Sequence, residues 1–282
     1  MAGTNRMSGQ NKVFVAAKTL TMLVLLILYI VPFVMVLINS FKPNKVILSN
    51  PLSLPDGLFL DNFMKAFDKM NYLTSAANSL VITLAAVFFI VIASSMTAYY
   101  FVRLPYKSSN VLFGAMVASM LVPFQVLMIP LVSIYGKFNL LNNKYVLVYM
   151  YIGFGASLAV FIYHGFLKSI PLSIEEAAFI DGATRLQTFF HVVLPLMKTT
   201  TVTIIILDVL WIWNDYLLPS LVLRTAVNRT LPLTTVYFYG TYGVDFGPLM
   251  AALMLIIIPV IILYSFMQKS IIEGVVTGAV KS

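Results

Sequence analysis

Asp208 and Asp215 are the only acidic side chains inside the long apolar runs of this sequence, and acids in such places have few roles open to them. Carrying a charge to the middle of a bilayer costs roughly 2.5–3.5 kcal/mol, so intramembrane acids normally face protein or a polar cavity. The two stand seven residues apart with Trp211 between them, a spacing that puts all three on one side of a helix. Two readings stay open for them. One is a hydrogen bond between helices or a place at the membrane interface; the other is a position on a translocation path, where a carboxylate could couple protons or sodium. Other chemistry has no visible parts. The chain has no cysteine and only two histidines, His164 and His191, which excludes disulfides and thiolate nucleophiles and leaves a metal site unexpected. HExxH, GxSxG and the phosphate-cradling GxxxxGK[ST] are all absent. No catalytic residue, cofactor site or metal site is expected, and an enzyme active site has no visible parts.

The elements that would hold these acids follow from composition. Hydrophobic residues make up 60% of the chain and charged residues 10%, against roughly 25% charged in an ordinary soluble domain. Mean hydropathy is +0.95, so lipid is the solvent for most of the molecule. The net charge of +8 fits loop lysines and arginines against anionic headgroups, and no nucleic acid partner is expected. A helix needs about 20 apolar residues to cross the hydrocarbon core. The charges mark six such spans, at about 19–41, 76–102, 110–135, 145–167, 199–223 and 246–268. Continuous apolar runs argue against a β-barrel, whose segments of about 10 residues alternate.

The expected fold is therefore all-α, a polytopic membrane protein with six transmembrane helices. One permease-like domain fills residues 19–270, between an N-terminal segment at 1–18 and a tail at 271–282. The first span lacks a cleavage site and reads as an uncleaved helix. With the N-terminus in the cytoplasm, ten of the 18 basic residues fall inside, a slight excess that favours cytoplasmic termini. Pro32, Pro123, Pro130, Pro219 and Pro259 are expected to kink or end their spans, and the small residues from Ala93 to Ala98 to let helices approach closely.

The one long polar passage between apolar blocks, residues 173–195, is written as two short helices about a glycine. Ser173 and Glu176 have the spacing of a capping box, and Thr184 and Gln187 repeat it. Gly182 sits where a helix end calls for positive φ, and Pro195 limits the second helix. A folded hairpin between spans reads as a docking element for something soluble.

Glu176-Ala177-Ala178, Gly182 four residues later, then Val192 and Leu194-Pro195 resemble the pattern EAA-x3-G-x9-I-x-LP, with valine in place of isoleucine. This is similar to the signature loop of permeases from bacterial ATP-binding cassette (ABC) importers. Asn78-Ser79, Ala98-Tyr99 with Arg103, Pro123 and Pro130, the Trp213–Tyr216 group and the tail Glu273–Lys281 extend the resemblance to the maltose-type carbohydrate permeases. It implies a type I importer core in a bacterial inner membrane, with loop 173–195 as the cytoplasmic coupling element. Glu176, Ala177, Ala178, Asp181, Gly182, Leu194 and Pro195 would then meet an ATPase. Glu176 either caps its own helix or pairs with an arginine across that interface. The small side chains of Ala177 and Ala178 would let the partner approach. Glu273, Gly274, Gly278 and Lys281 in the tail would touch the same ATPase. The implied partners are a second permease subunit, a cytoplasmic ATPase dimer that holds the ATP and magnesium, an extracytoplasmic solute-binding protein, the sugar and membrane lipid. Asp208, Trp211 and Asp215 remain candidates for the path. The rival readings are an ion-coupled secondary transporter using Asp208 or Asp215, and an intramembrane enzyme.

Overall fold

A computed structural model describes residues 9–104, 106–241 and 243–279. Its helices are α1 (Gly9–Ser40), α2 (Asn44–Ser49), α3 (Asp61–Lys69), α4 (Tyr72–Arg103), α5 (Lys107–Ser119), α6 (Phe124–Lys137), α7 (Lys144–Leu167), α8 (Leu172–Ile180), α9 (Arg185–Thr188), α10 (Leu194–Leu196), α11 (Lys198–Asn214), α12 (Leu217–Val222) and α13 (Phe246–Ala279). A π-helical turn, Phe189–Val193, joins α9 to α10. The one ladder among the described residues pairs β1 (Tyr239–Gly240) antiparallel with β2 (Gly243–Val244), so the fold is all-α. Helices α1, α4, α7 and α13 are long and apolar enough to cross a membrane, and two bent helix pairs raise the number to as many as six.

The bends show where the expected spans turn or stop. The third, expected as one helix over 110–135, turns by 100° between α5 and α6. Pro123 caps α6 with an extended ψ of 136°; it has no amide hydrogen to carry a helix through that point. Pro32, Pro130 and Pro259, in contrast, lie inside α1, α6 and α13 without ending them. The fifth span, expected to reach residue 223, stops at Asn214. Asp215 takes an extended backbone with ψ of 127°, and the short α12 follows. At the other end of the chain, α13 continues past residue 268 to Ala279; Lys281 lies outside the described residues.

The chain divides into two compact units. The larger comprises Asn71–Thr234 and Ile258–Ser282. Its core is the seam between α4 and α7, with α11 laid against both. On α4, Ile82, Ala86, Ile90, Ser94 and Ala98 recur every fourth residue and are all buried, the stripe that a packed helix face demands. Leu147, Tyr151, Val160, Tyr163 and Leu167 answer from α7, and Ile204, Val209 and Ile212 from α11. Gly155 sets the closeness of the seam, since a Cβ there would stand 2.6 Å from Ile90 Cδ1. The small residues Ser94, Ser95 and Ala98 are buried as expected.

The smaller unit comprises Met1–Met70 and Thr235–Ile257. Asn62 is its hub. Its side-chain amide donates to the carbonyls of Ser40 and Lys42 at 2.9 and 2.8 Å. Gly247 gives it room, because a Cβ there would fall 2.7 Å from Asn62 Oδ1. Lys42 is buried and its Nζ donates to the carbonyl of Pro51 at 3.2 Å, while Phe41 and Phe63 pack with ring centres 5.1 Å apart. In α1 the most apolar window has none of its residues buried within the chain, so its sides are left to lipid or other proteins.

Candidate functional site

The hairpin at 172–196 is organised by its turn. Helix α8 ends on Asp181, Gly182 follows at φ of +85°, and two backbone bonds close the end. Gly182 N–H donates to the carbonyl of Phe179 at 3.1 Å and Ala183 N–H to that of Ala178 at 3.0 Å. This is the Schellman arrangement, which needs a residue at ease in the left-handed region. Thr184 then starts α9 with a complete capping box. Gln187 N–H reaches Thr184 Oγ1 at 3.3 Å, and Thr184 N–H donates to Gln187 Oε1 at 2.8 Å.

The first expected box does not form. Helix α8 starts at Leu172 behind the extended Pro171, so Ser173 is already helical and its hydroxyl cannot serve as a cap. Pro195 does not end the second helix either, for the helical path runs to Leu196 and bends by 77° into α11. In an α register the carbonyl of His191 would need the amide hydrogen of residue 195, which proline lacks. The π turn just before it carries the Leu194 amide to the carbonyl of Phe189, five residues back, rather than to that of Phe190.

Two faces of α8 carry different chemistry. Leu172, Glu175 and Phe179, at helical spacing, line a cavity of about 420 Å3 together with Met96, Tyr99, Arg103 and Phe189; Glu175 is buried there, while Leu172 and Phe179 stay exposed at its rim. Glu176 and Ala177 are exposed, and Ile180 is 86% exposed. Of the other residues read for coupling, Asp181, Gly182 and Pro195 are exposed and Ala178 and Leu194 half-buried. Most of the motif is thus exposed on the hairpin.

Glu175, not Glu176, is the acid that the fold engages. It is 1% exposed, and both of its oxygens are held from α4. Arg103 Nε meets Oε1 at 2.6 Å, and the Tyr99 hydroxyl donates to Oε2 at 2.8 Å. The guanidinium also donates from Nη2 to the carbonyl of Ile170 at 3.0 Å. Sequence reasoning noted Tyr99 and Arg103 but missed Glu175. A signal was present: Glu175 shares the apolar face of Leu172 and Phe179, and a charge on such a face needs a partner.

Of the three residues read for the path, Asp215 and Trp211 meet the same tyrosine and Asp208 stands apart from it. Asp215 Oδ1 accepts from the amide of Leu217 at 2.9 Å, capping α12, and Oδ2 accepts from the Tyr151 hydroxyl at 2.9 Å. The bond to Tyr151 ties Asp215 to α7. Trp211 meets the same Tyr151 edge-on, ring centres 5.5 Å apart. Asp208 is 4% exposed, and its Oδ2 has no hydrogen-bond partner among the described residues. His164 stacks on Phe113 at 3.8 Å, and no cluster suited to a metal ion occurs among the described residues. In the tail, the backbone of Glu273, Gly274 and Gly278 lies in α13.

Away from the hairpin, Asn142 gathers a loop junction. Its backbone sits at φ of 61°, and its Oδ1 accepts from the amides of Arg224 and Thr225, each at 3.0 Å, and from Thr225 Oγ1 at 3.0 Å.

Residues 90–276, which hold the hairpin and its α4 partners, match the model of the binding-protein-dependent transport system inner membrane component family. The chain belongs to this family. The permease is 46% identical over 273 residues to the probable starch degradation products transport system permease protein AmyC of Thermoanaerobacterium thermosulfurigenes, covering 96% of this chain and 99% of that one. It is 34% identical to the multiple sugar-binding transport system permease protein MsmG of Streptococcus mutans, over 90% and 93% of the two chains. A bacterial ABC transporter involved in import of the acidic polysaccharide alginate shares its fold, with a TM-score of 0.81 at 23% identity over 94% of this chain and 99% of that one. The permease is accordingly a membrane transport component and not an enzyme.

Proposed function

We propose that this permease is one membrane subunit of an ATP-driven, solute-binding-protein-dependent sugar importer, oligosaccharides being its cargo, in a bacterial inner membrane. The observation that carries the reading is the outward strip of the hairpin: Glu176, Ala177 and Ile180 exposed beside a glycine-hinged turn. Leu172, Ile174, Phe179 and Ile180 are all exposed on this one short helix outside the spans, and apolar side chains grouped in that way mark a surface that a partner covers. The relatives named for starch products and multiple sugars support the cargo.

In this reading both termini and the hairpin face the cytoplasm. A separate ATPase dimer holds ATP and magnesium, grips residues 173–195 and touches Glu273, Gly274, Gly278 and Lys281 in the tail. A second permease subunit completes the pathway, and a binding protein delivers sugar to the loops at 42–75 and 222–245. Closure of the ATPase pulls the hairpin and rocks the helices between inward-open and outward-open forms. Of the three residues read for the path, Asp208 is the one with an oxygen free to meet solute when the helices rearrange.

Uptake of radiolabelled maltooligosaccharide into proteoliposomes containing the whole complex tests this. Transport should require internal ATP and the ATPase and survive collapse of proton and sodium gradients; the reverse pattern would assign the ion-coupled mechanism. Ala178→Asp, which puts a charge where the partner must approach, should lower uptake about tenfold or more while the protein still inserts, as the loss of one buried interface contact would. Normal ATP-dependent uptake by that variant would count against docking through this strip.

A further inference from the structure

We propose that Glu175, Arg103 and Tyr99 form a rigid joint that makes α8 and the end of α4 move as one body. They are positioning residues for transport, and the inference rests on the reading of residues 173–195 as the element gripped by the ATPase. The geometry is that of a clamp. Tyr99 and Arg103 are four apart on α4, so they stand on one helix face, and each takes a different oxygen of the same carboxylate. Two bonds to two oxygens resist rotation of α8 as well as its translation. The bond from Arg103 to the carbonyl of Ile170 adds the connection that leads into α8.

Close packing cannot do this work in its place. The cavity of about 420 Å3 lies directly beside the joint, walled by Met96, Leu172, Phe179 and Leu186, so the apolar side chains around it leave space. Tyr99 also meets Phe189 with ring centres 5.2 Å apart, which brings the second arm of the hairpin to the same residue. The two adjacent glutamates therefore divide the labour of α8. Glu176 faces outward to a partner, while Glu175 is 1% exposed, with both oxygens engaged by α4 and out of a partner's reach. A pull on the outer face reaches α4, and through α4 the seam with α7, by way of Glu175.

The test uses the complete importer in proteoliposomes, with solute uptake, ATP hydrolysis and retention of the ATPase on purification measured together. Glu175→Gln keeps the shape and removes the charge. Its ATPase should stay bound and hydrolyse ATP, while solute moved per ATP falls about tenfold, the loss of a charge-assisted hydrogen bond. Tyr99→Phe leaves the ion pair and should lower the same ratio by about two- to fivefold, as one neutral hydrogen bond would. An unchanged ratio in both variants would overturn the joint, as would uptake lost in proportion to ATPase that no longer co-purifies. Wild-type uptake that ignores ATP would remove the underlying reading instead, so the two failures are separable.

Discussion

At its start α4 is seated on loop backbone, whereas at its end it is tied to a helix by a buried ion pair, and the two attachments differ in what they allow. Asn78 donates to the carbonyls of Val227 and Arg229 at 2.7 and 3.1 Å, and Ser79 Oγ accepts the amide of Leu231 at 2.8 Å. Asn142 holds the neighbouring residues 224 and 225 in the same manner. Side chain to backbone bonds fix the course of a loop, since each carbonyl and amide can occupy only one place. The Arg103–Glu175 attachment fixes a separation between two helices and leaves a cavity alongside. One end is a seat, the other a lever.

The comparison breaks first at the ion pair. Arg103→Leu strands a buried carboxylate, at a cost of about 3–5 kcal/mol. Thermal unfolding of the purified permease in detergent should show the largest fall of any single variant here, and a fall no greater than that of a surface substitution would mean that the pair is not buried in solution. Asn142→Ala removes one acceptor shared by four donors and places alanine at positive φ, costing about 2–3 kcal/mol. Hydrogen exchange should quicken at the amides of Arg224 and Thr225 and stay unchanged in α8; loosening of both ends together would erase the distinction. Gly182→Ala meets open space but a left-handed backbone, and strain there costs about 1–2 kcal/mol. It should raise protease cleavage in the hairpin, with global unfolding nearly unmoved.

Much of the lever was legible beforehand because its signals are local. Gly182 and the Thr184–Gln187 box announce a turn and a helix start through backbone geometry that neighbouring residues alone impose. The Ser173 box failed for an equally local reason: behind Pro171, α8 starts two residues sooner, so a serine that fits a cap by spacing became an interior residue. The break at Pro123 was legible too, because proline lacks the amide a helix needs, whereas hydropathy counts apolar residues and does not register that the backbone turns at Asp215.

Composition and periodicity by themselves determined that this is an all-helical membrane chain with an ordered hairpin between spans, because lipid demands apolar runs and a glycine-centred turn writes its own signature. Only the tertiary structure decided which glutamate serves the interior, that Asp215 binds Tyr151 while Asp208 keeps a free oxygen, and that Arg103 reaches α8. Those outcomes depend on contacts between residues that lie 64 to 76 positions apart, and spacing along a chain carries no record of distances made by packing.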